Sequence, residues 1–168
     1  LKKILLISDT HGHLDQAVLK FAKEVDEVWH AGDIGTVSTL NPLTNLKPVR
    51  GVYGNIDGQE LRLTFPENLI FTIEKVKVLI THIAGYPGKF SARVKGLILE
   101  HQPQLVICGH SHILKVMYDK DNKLLFMNPG ACGNQGFHQI KTLLRFEING
   151  TEIQKLEVIE LGKRAASN

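Results

Sequence analysis

Five short apolar runs, residues 4–8, 28–31, 49–53, 76–81 and 105–108, each stop at, or one glycine before, a side chain able to bind a metal ion. Those side chains are Asp9, Asp33, Asn55, His82 and His110. Runs of this length, rich in Val, Ile and Leu and bounded by glycine and polar residues, read as buried strands. Between the first two, Leu14, Ala17, Val18, Phe21, Ala22 and Val25 recur at the spacing of one apolar helix face. Strand, helix, strand in that order implies a parallel pair. Ligands of open α/β sheets gather beyond the carboxyl ends of the strands. The five residues, with His11 and His112 two places beyond the first and the last, are therefore expected to converge at one rim.

The remaining pattern supplies the rest of the layers. Residues 36–46 read as a short helix containing Pro42, and residues 69–73 and 76–81 as a hairpin about Glu74-Lys75. Phe90, Val94, Leu97 and Ile98 mark an amphipathic helix that Pro103 stops. Residues 113–118 pair with 124–127 across Asp121-Asn122, and 143–148 turn at Asn149-Gly150 into 153–159. No linker or repeat divides the chain, so residues 1–168 are read as one domain. The first, βαβ half is expected to form one sheet and the second, meander half the other, both mixed, with helices outside. The fold class is α/β, a four-layer α/β/β/α sandwich.

Composition excludes more than it specifies. With 43% hydrophobic and 22% charged residues among 168, the chain is an ordinary globule, neither disordered nor fibrous. A net charge of +3, dispersed along the chain, is too weak for a nucleic-acid groove, so nucleic acid enters only as a substrate. No segment reads as a signal peptide or membrane span. Cys108 and Cys132 stand alone and read as reduced core residues, which makes the cytoplasm the expected location. The one departure is eight histidines against three tyrosines and one tryptophan.

Placement gives those histidines meaning. Gly-His-x-His (109–112) and Gly-Asn-x-Asp (54–57) are each expected only about 0.03 times in a chain of this composition, and both occur. Imidazole and carboxylate donors together suit Mn, Fe, Ni or Zn, and the lack of cysteine argues against a structural zinc finger. Two divalent ions against two anionic ligands, Asp9 and Asp33, leave a positive site that attracts phosphate oxygens. Asp33, through its two oxygens, is the natural bridge between ions about 3.5–4 Å apart, the spacing used for in-line phosphoryl displacement.

The order Asp-x-His, Gly-Asp, Gly-Asn-x-Asp, His, Gly-His-x-His resembles the calcineurin-like metallophosphoesterase superfamily, in particular its small single-domain bacterial and archaeal phosphodiesterases, over residues 2–160. The resemblance implies Asp9, His11 and His112 on one metal, Asn55, His82 and His110 on the other, and Asp33 between them. It implies two divalent ions, Mn first and Ni, Fe or Zn as alternatives. The implied reaction is hydrolysis of a small-molecule phosphodiester by a metal-bridging hydroxide, with Asp33 and Asn55 in the catalytic machinery. Asn128-Pro129-Gly130 is similar to the family's turn near the sheet edge. Two departures stand out: Ile56 occupies the place of a histidine that protonates the leaving group in larger relatives, and Ile83-Ala84 replaces a Gly-His. A second reading is a metal-binding scaffold for partner proteins, similar to the small retromer subunit, which departs from the full ligand pattern that this chain keeps.

Other polar residues carry paired readings. His13 and His138 are candidates for phosphate contact or proton donation; for His13 the other reading is a helix start. His30 reads as a core residue beside the ligands, and His101 as a surface residue at a helix end. Asp57 either orients a ligand such as His11 or caps a turn. Residues 86–90 form a connector or a flap at the substrate entrance, and Lys89 and Arg93 are phosphate contacts or simply solvated. An exposed edge on the C-terminal hairpin offers a homo-oligomer surface.

Overall fold

The computed structural model describes residues 1–165. Its strands are β1 (Lys2–Ile7), β2 (Glu27–His30), β3 (Val49–Gly51), β4 (Asn68–Ile73), β5 (Val76–Thr81), β6 (Leu105–Ile107), β7 (Leu114–Asp119), β8 (Leu124–Pro129), β9 (Ile140–Asn149) and β10 (Glu152–Lys163). The helices are α1 (Gln16–Lys23), α2 (Val37–Thr44), α3 (Gln59–Thr64) and α4 (Ala92–His101).

Two five-stranded mixed sheets, ordered β10-β9-β1-β2-β3 and β4-β5-β6-β8-β7, are flanked by helices. The two-residue side-chain period of the strands builds the layers. Ile4 and Leu6 of β1 join Trp29, Val78, Ile80, Ile107 and Met127 in the core between the sheets. Leu5 and Ile7, pointing the other way, pack with Val18, Ala22, Leu40, Leu43 and Leu61 under α1, α2 and α3. On the second sheet Leu79, Val106 and Phe126 meet Val94 and Ile98 of α4. Ser91 caps α4 by accepting from Val94 N, and left-handed Gln102 ends it just before Pro103.

The division of the chain into halves needs correction. The C-terminal hairpin returns to the first sheet, where β9 runs antiparallel to β1, and the second sheet is no meander, since β6 lies parallel to both β5 and β8. Alternation fixes which face of a strand is buried but carries no information about its neighbour, so a hairpin legible in itself can join either sheet. Helix α3 is also absent from the sequence reading, being a six-residue element with only Leu61 buried. The β10 edge carries register shifts at Gln154/Glu157 and Glu160/Gly162 and several charged side chains, features that oppose addition of another strand.

Candidate metal centre

Beyond the carboxyl ends of β1 and β2 the chain pairs on: Asp9 N donates to Gly32 O, His11 N to Asp33 O and Gly12 N to Ile34 O. In this extension Asp9, His11 and Asp33 all adopt left-handed backbone, with φ of 55°, 46° and 56°. His110 and His112 do the same, at 69° and 60°. For an L-residue this costs about 1–2 kcal/mol each, and it persists only where the surroundings over-determine it. Asp-x-His and Gly-His-x-His are thus the same device, two left-handed residues around one ordinary residue. Each turns a strand end so that side chains two apart face one point.

All seven expected residues meet there. Asp9, His11 and His112 form one group with ligand atoms within 4.8 Å of one another; Asp33, His82 and His110 form another. Asn55 joins the second through Oδ1, 3.0 Å from His110 Nδ1. The carboxylates share one design. Asp9 Oδ2 is anchored by Ser8 Oγ (2.6 Å) and His110 N (3.1 Å), leaving Oδ1 facing His112 Nε2 at 3.1 Å, His11 Nε2 at 3.7 Å and His82 Nε2 at 3.9 Å. Asp33 Oδ1 accepts from Ile56 N, leaving Oδ2 facing His82 Nε2 at 3.2 Å and His11 Nε2 at 3.5 Å.

Among the described residues, two buried ring nitrogens, His11 Nε2 and His82 Nε2, have no hydrogen-bond partner. The tautomers sharpen this. His82 Nδ1 donates to Ala31 O at 2.7 Å, so in the neutral ring the Nε2 lone pair points at the carboxylates. His138 Nε2 donates to Gly133 O at 2.8 Å, so its Nδ1 accepts from His112 Nδ1 at 3.2 Å, and the His112 Nε2 lone pair is aimed at Asp9 Oδ1. Lone pairs facing carboxylate oxygens repel unless a cation lies between them. Donors each about 2.1 Å from one ion lie about 3.0–3.4 Å apart at tetrahedral or octahedral angles, close to several of these spacings. The donor set fits a borderline divalent metal.

Protonation follows the same field. Burial opposes ionisation of Asp9, but its histidine neighbours and Ser8 outweigh that and hold the carboxyl below the usual range. Burial likewise opposes the charge on Asp33, and His82 and the Ile56 amide overcome it. The Asp9 carboxylate raises His11 above the ordinary imidazole value, with Asp33 adding to it. His82 is raised by Asp33 and Asp9 against the effect of its burial. Burial lowers His110 and His138.

The supporting contacts were only partly legible. Gly54 and Gly109 open the two rare motifs because ligand carboxylates pass over them: an added Cβ would lie 2.0 Å from Asp33 Oδ1 at the first, and 2.7 Å from Asp9 Oδ2 and 2.1 Å from Ser8 Oγ at the second. Gly109→Ala is expected to weaken metal binding at least tenfold by displacing Asp9, with the protein still folded by circular dichroism; unchanged affinity would contradict the role given to this contact. Asn128 holds the loop between the two histidines, its Nδ2 donating to Gly109 O and Ser111 Oγ. The Asn-Pro-Gly turn therefore acts on the site as well as on the sheet. Nothing in the sequence pattern marks Ser8 and Asn128 as site residues, although each adjoins a strand end.

Asp57 does not orient His11. Its carboxylate accepts from the backbone amides of Ile34, Gly35 and Gly54, tying together the loops that carry Asp33 and Asn55. Arg62 of α3 clamps the same turn through Asp57 O and Asn55 O. His30 is fully buried and lowered to about 4 by burial. As an acceptor from Gly32 N it must donate through Nε2 to Thr10 Oγ1, which in turn donates to Ile34 O. His13 bonds Asp15 at the start of α1, at 2.6 Å, and is exposed. His101 ends α4, 3.6 Å from Glu100. Arg93 bonds Asn68, Thr81 and Ile83 O, and so is not merely solvated. Lys89 lies exposed in a turn, its amide donating to Tyr86 O.

A family model described as the calcineurin-like phosphoesterase superfamily domain matches residues 3–151. A probable metallophosphoesterase of Methanothermobacter thermautotrophicus is 30% identical over 131 residues, 75% of this chain and 74% of that protein. A solved structure described as a novel archaeal phosphodiesterase is 25% identical with a TM-score of 0.70, covering 95% of this chain and 99% of the other. Vps29 of Entamoeba histolytica, solved with Zn²⁺, has a TM-score of 0.73 at 19% identity, covering 94% and 98%, a likeness of fold.

Proposed function

Because the chain belongs to the calcineurin-like phosphoesterase superfamily, we propose that it is a metal-dependent phosphodiesterase with a binuclear centre. Asp9, His11 and His112 hold one divalent ion, Asn55, His82 and His110 the other, and Asp33 lies between them. The observation that carries this reading is the pair of buried, unpartnered nitrogens, His11 Nε2 and His82 Nε2, facing the carboxylates of Asp9 and Asp33. Because Asp33 Oδ1 is engaged by Ile56 N, Oδ2 is the Asp33 oxygen that faces a histidine of each group and would be available to hold the ions. Ions bound there, with manganese the first choice, supply Lewis acidity toward phosphoryl oxygens and a water that ionises near neutral pH.

The chain's own residues supply the rest. Ser8, the His110 amide and the Ile56 amide fix the two carboxylates, and Ala31 O and His138 fix the tautomers of His82 and His112. With both of its nitrogens engaged, His138 is assigned here to positioning His112 in place of proton donation. His138→Phe is expected to weaken metal affinity about 10- to 100-fold, the range for partners of ligand histidines, while the fold survives. Unchanged affinity by calorimetric titration would remove that assignment. His13, bonded to Asp15, remains the proposed phosphate contact on the exposed side.

Metal binding is expected to weaken in acid. His11 and His82 sit above the ordinary imidazole value in the metal-free chain, so as the pH falls protons compete with metal for those nitrogens. As pH falls through that raised range, affinity should drop by about tenfold per pH unit for each proton displaced. Titration calorimetry with Mn²⁺ in buffers of differing ionisation enthalpy counts those protons, and a pH-independent affinity would contradict the ligand assignment.

The test of function is hydrolysis of bis(p-nitrophenyl) phosphate by the protein with and without Mn²⁺. The second reading, a scaffold similar to Vps29, is favoured by the exposed apolar residues that directly follow three ligands, Ile56, Ile83 and Ile113. It predicts stoichiometric metal without turnover. Among the described residues no helix is long and apolar enough to cross a membrane. The buried free thiols of Cys108 and Cys132, pushed up to about 12 by burial, suit a reducing compartment, and the cytoplasm is the proposed location.

A further inference from the structure

Two clefts of about 350 Å³ each adjoin the centre and share Ile83 as a wall. They lie within the size range of small-molecule sites. They differ in chemistry. One opens beside Asn55 and His82 and is lined by Arg62, Arg93 and Glu67. The other opens beside His110 and has apolar walls of Ile83, Tyr86, Ile113 and Phe126, with Ser111 and Lys115 as polar points. A larger cleft elsewhere, about 560 Å³, lies among charges that already pair with one another: Arg145 with Glu24 and Glu157, Lys155 with Glu147.

We propose that the apolar cleft is a subsite for a flat aromatic group, an aryl ring or nucleobase, carried on one ester arm of the substrate. This rests on the phosphodiesterase reading, which puts phosphorus at the centre and hence one ester arm at the mouth beside His110. Three observations select the occupant. First, the cleft presents apolar side chains to water: Ile83, Tyr86 and Ile113 are 41%, 40% and 65% exposed, although Ile83 and Ile113 directly follow the ligands His82 and His112. An aromatic arm covers such a wall, whereas the other cleft, lined by Arg62, Arg93, Glu67, Thr81 and Ser91, presents more polar side chains to a polar arm.

Second, the backbone turn that carries Tyr86 is formed before anything binds. The turn is closed by Lys89 N donating to Tyr86 O and Ser91 N donating to Ala84 O, and Ala84 and Phe90 are buried beneath it. Phe90 packs against Phe126, with ring centroids 5.8 Å apart. A preformed wall loses little entropy when it is covered. Third, the polar points suit the heteroatoms of a base. Lys115 Nζ stands 4.4 Å from the Tyr86 ring centroid and has no carboxylate partner among the described residues. Ser111 Oγ accepts from Asn128 Nδ2 and Ile113 N, which leaves its own O–H free to donate.

The experiment compares binding of adenosine 5′-phosphate and ribose 5-phosphate to the Mn²⁺-loaded full chain by titration calorimetry. The two share the phosphate and the sugar, so their ratio isolates the base. The wild type is expected to prefer adenosine 5′-phosphate by roughly tenfold or more, the order contributed by base–aromatic stacking. Tyr86→Ala and Ile113→Ser should bring the ratio near one without changing ribose 5-phosphate affinity, while Tyr86→Phe keeps it. Equal affinities in the wild type, or a ratio unmoved by both substitutions, would overturn the subsite. Turnover of bis(p-nitrophenyl) phosphate by the same samples separates the two ideas. Turnover without base preference removes the subsite alone; base preference without turnover supports the cleft as a base site and removes the phosphodiesterase reading.

Discussion

Asp33→Ala is expected to lower phosphodiester turnover by at least about 10³-fold and to abolish binding at one metal position while weakening the other. The size follows from where the side chain sits. Asp33 Oδ2 lies close to both His11 Nε2 and His82 Nε2, and its partner oxygen is held by the Ile56 amide. Removing it takes away one of two anionic ligands and one of the charges that raise His11 and His82. Asp33→Asn separates charge from shape, because an amide oxygen can still accept from Ile56 N. It should retain the fold of the Asn55 turn yet lose most metal affinity. Thermal unfolding of the metal-free forms provides the control: both variants should unfold cooperatively near the wild type, and the wild type should gain more stability than either on adding Mn²⁺. A variant that binds metal normally and turns over substrate would remove Asp33 from the centre.

Ile56→His is the second large effect, and it is a gain. The backbone of residue 56 serves Asp33, but its side chain is 48% exposed beside Asn55, so it can change without disturbing the carboxylate. Without a proton donor at that place, hydrolysis depends on leaving groups that depart unaided. The wild type should therefore hydrolyse p-nitrophenyl esters far faster than alkyl esters. A histidine there can supply general acid catalysis, worth about 10²- to 10⁴-fold when fully positioned. A rise of about 10- to 100-fold for an alkyl leaving group, with little change for p-nitrophenolate, is the expected outcome for an unoptimised placement. An equally shallow slope of rate against leaving-group acidity in both proteins would show that proton donation already comes from another residue, His13 being the first to test; equally steep slopes would show that a histidine at position 56 does not donate.

What could be read from the sequence follows a physical boundary. The strand ends were legible because apolar runs stop at polar residues, and parallel strands bring their carboxyl ends together; Asp9, Asp33, Asn55, His82 and His110 needed nothing more to be placed on one rim. The alternation of Ile4 and Leu6 against Leu5 and Ile7 likewise contained the layering. The return of β9 to β1 was not legible, since it rests on a long-range pairing with no local signature. Nor was the left-handed backbone at five of the ligands, because Asp and His carry no mark of it as glycine does. Asp57 shows the same limit from another side. Its spacing after Asn55 suggested either a partner for a histidine or a turn cap; the bond from Gly54 N is that cap, while those from Ile34 N and Gly35 N come from amides that become neighbours only when two loops fold against each other.

The most direct test of the central claim is a titration of Mn²⁺ into metal-free wild-type protein, with bound metal and bis(p-nitrophenyl) phosphate turnover followed in the same samples. Two ions per chain are expected, with turnover rising as the second position fills. Two bound ions without turnover above the Asp33→Ala control, or turnover at full rate in protein stripped of metal, would contradict it.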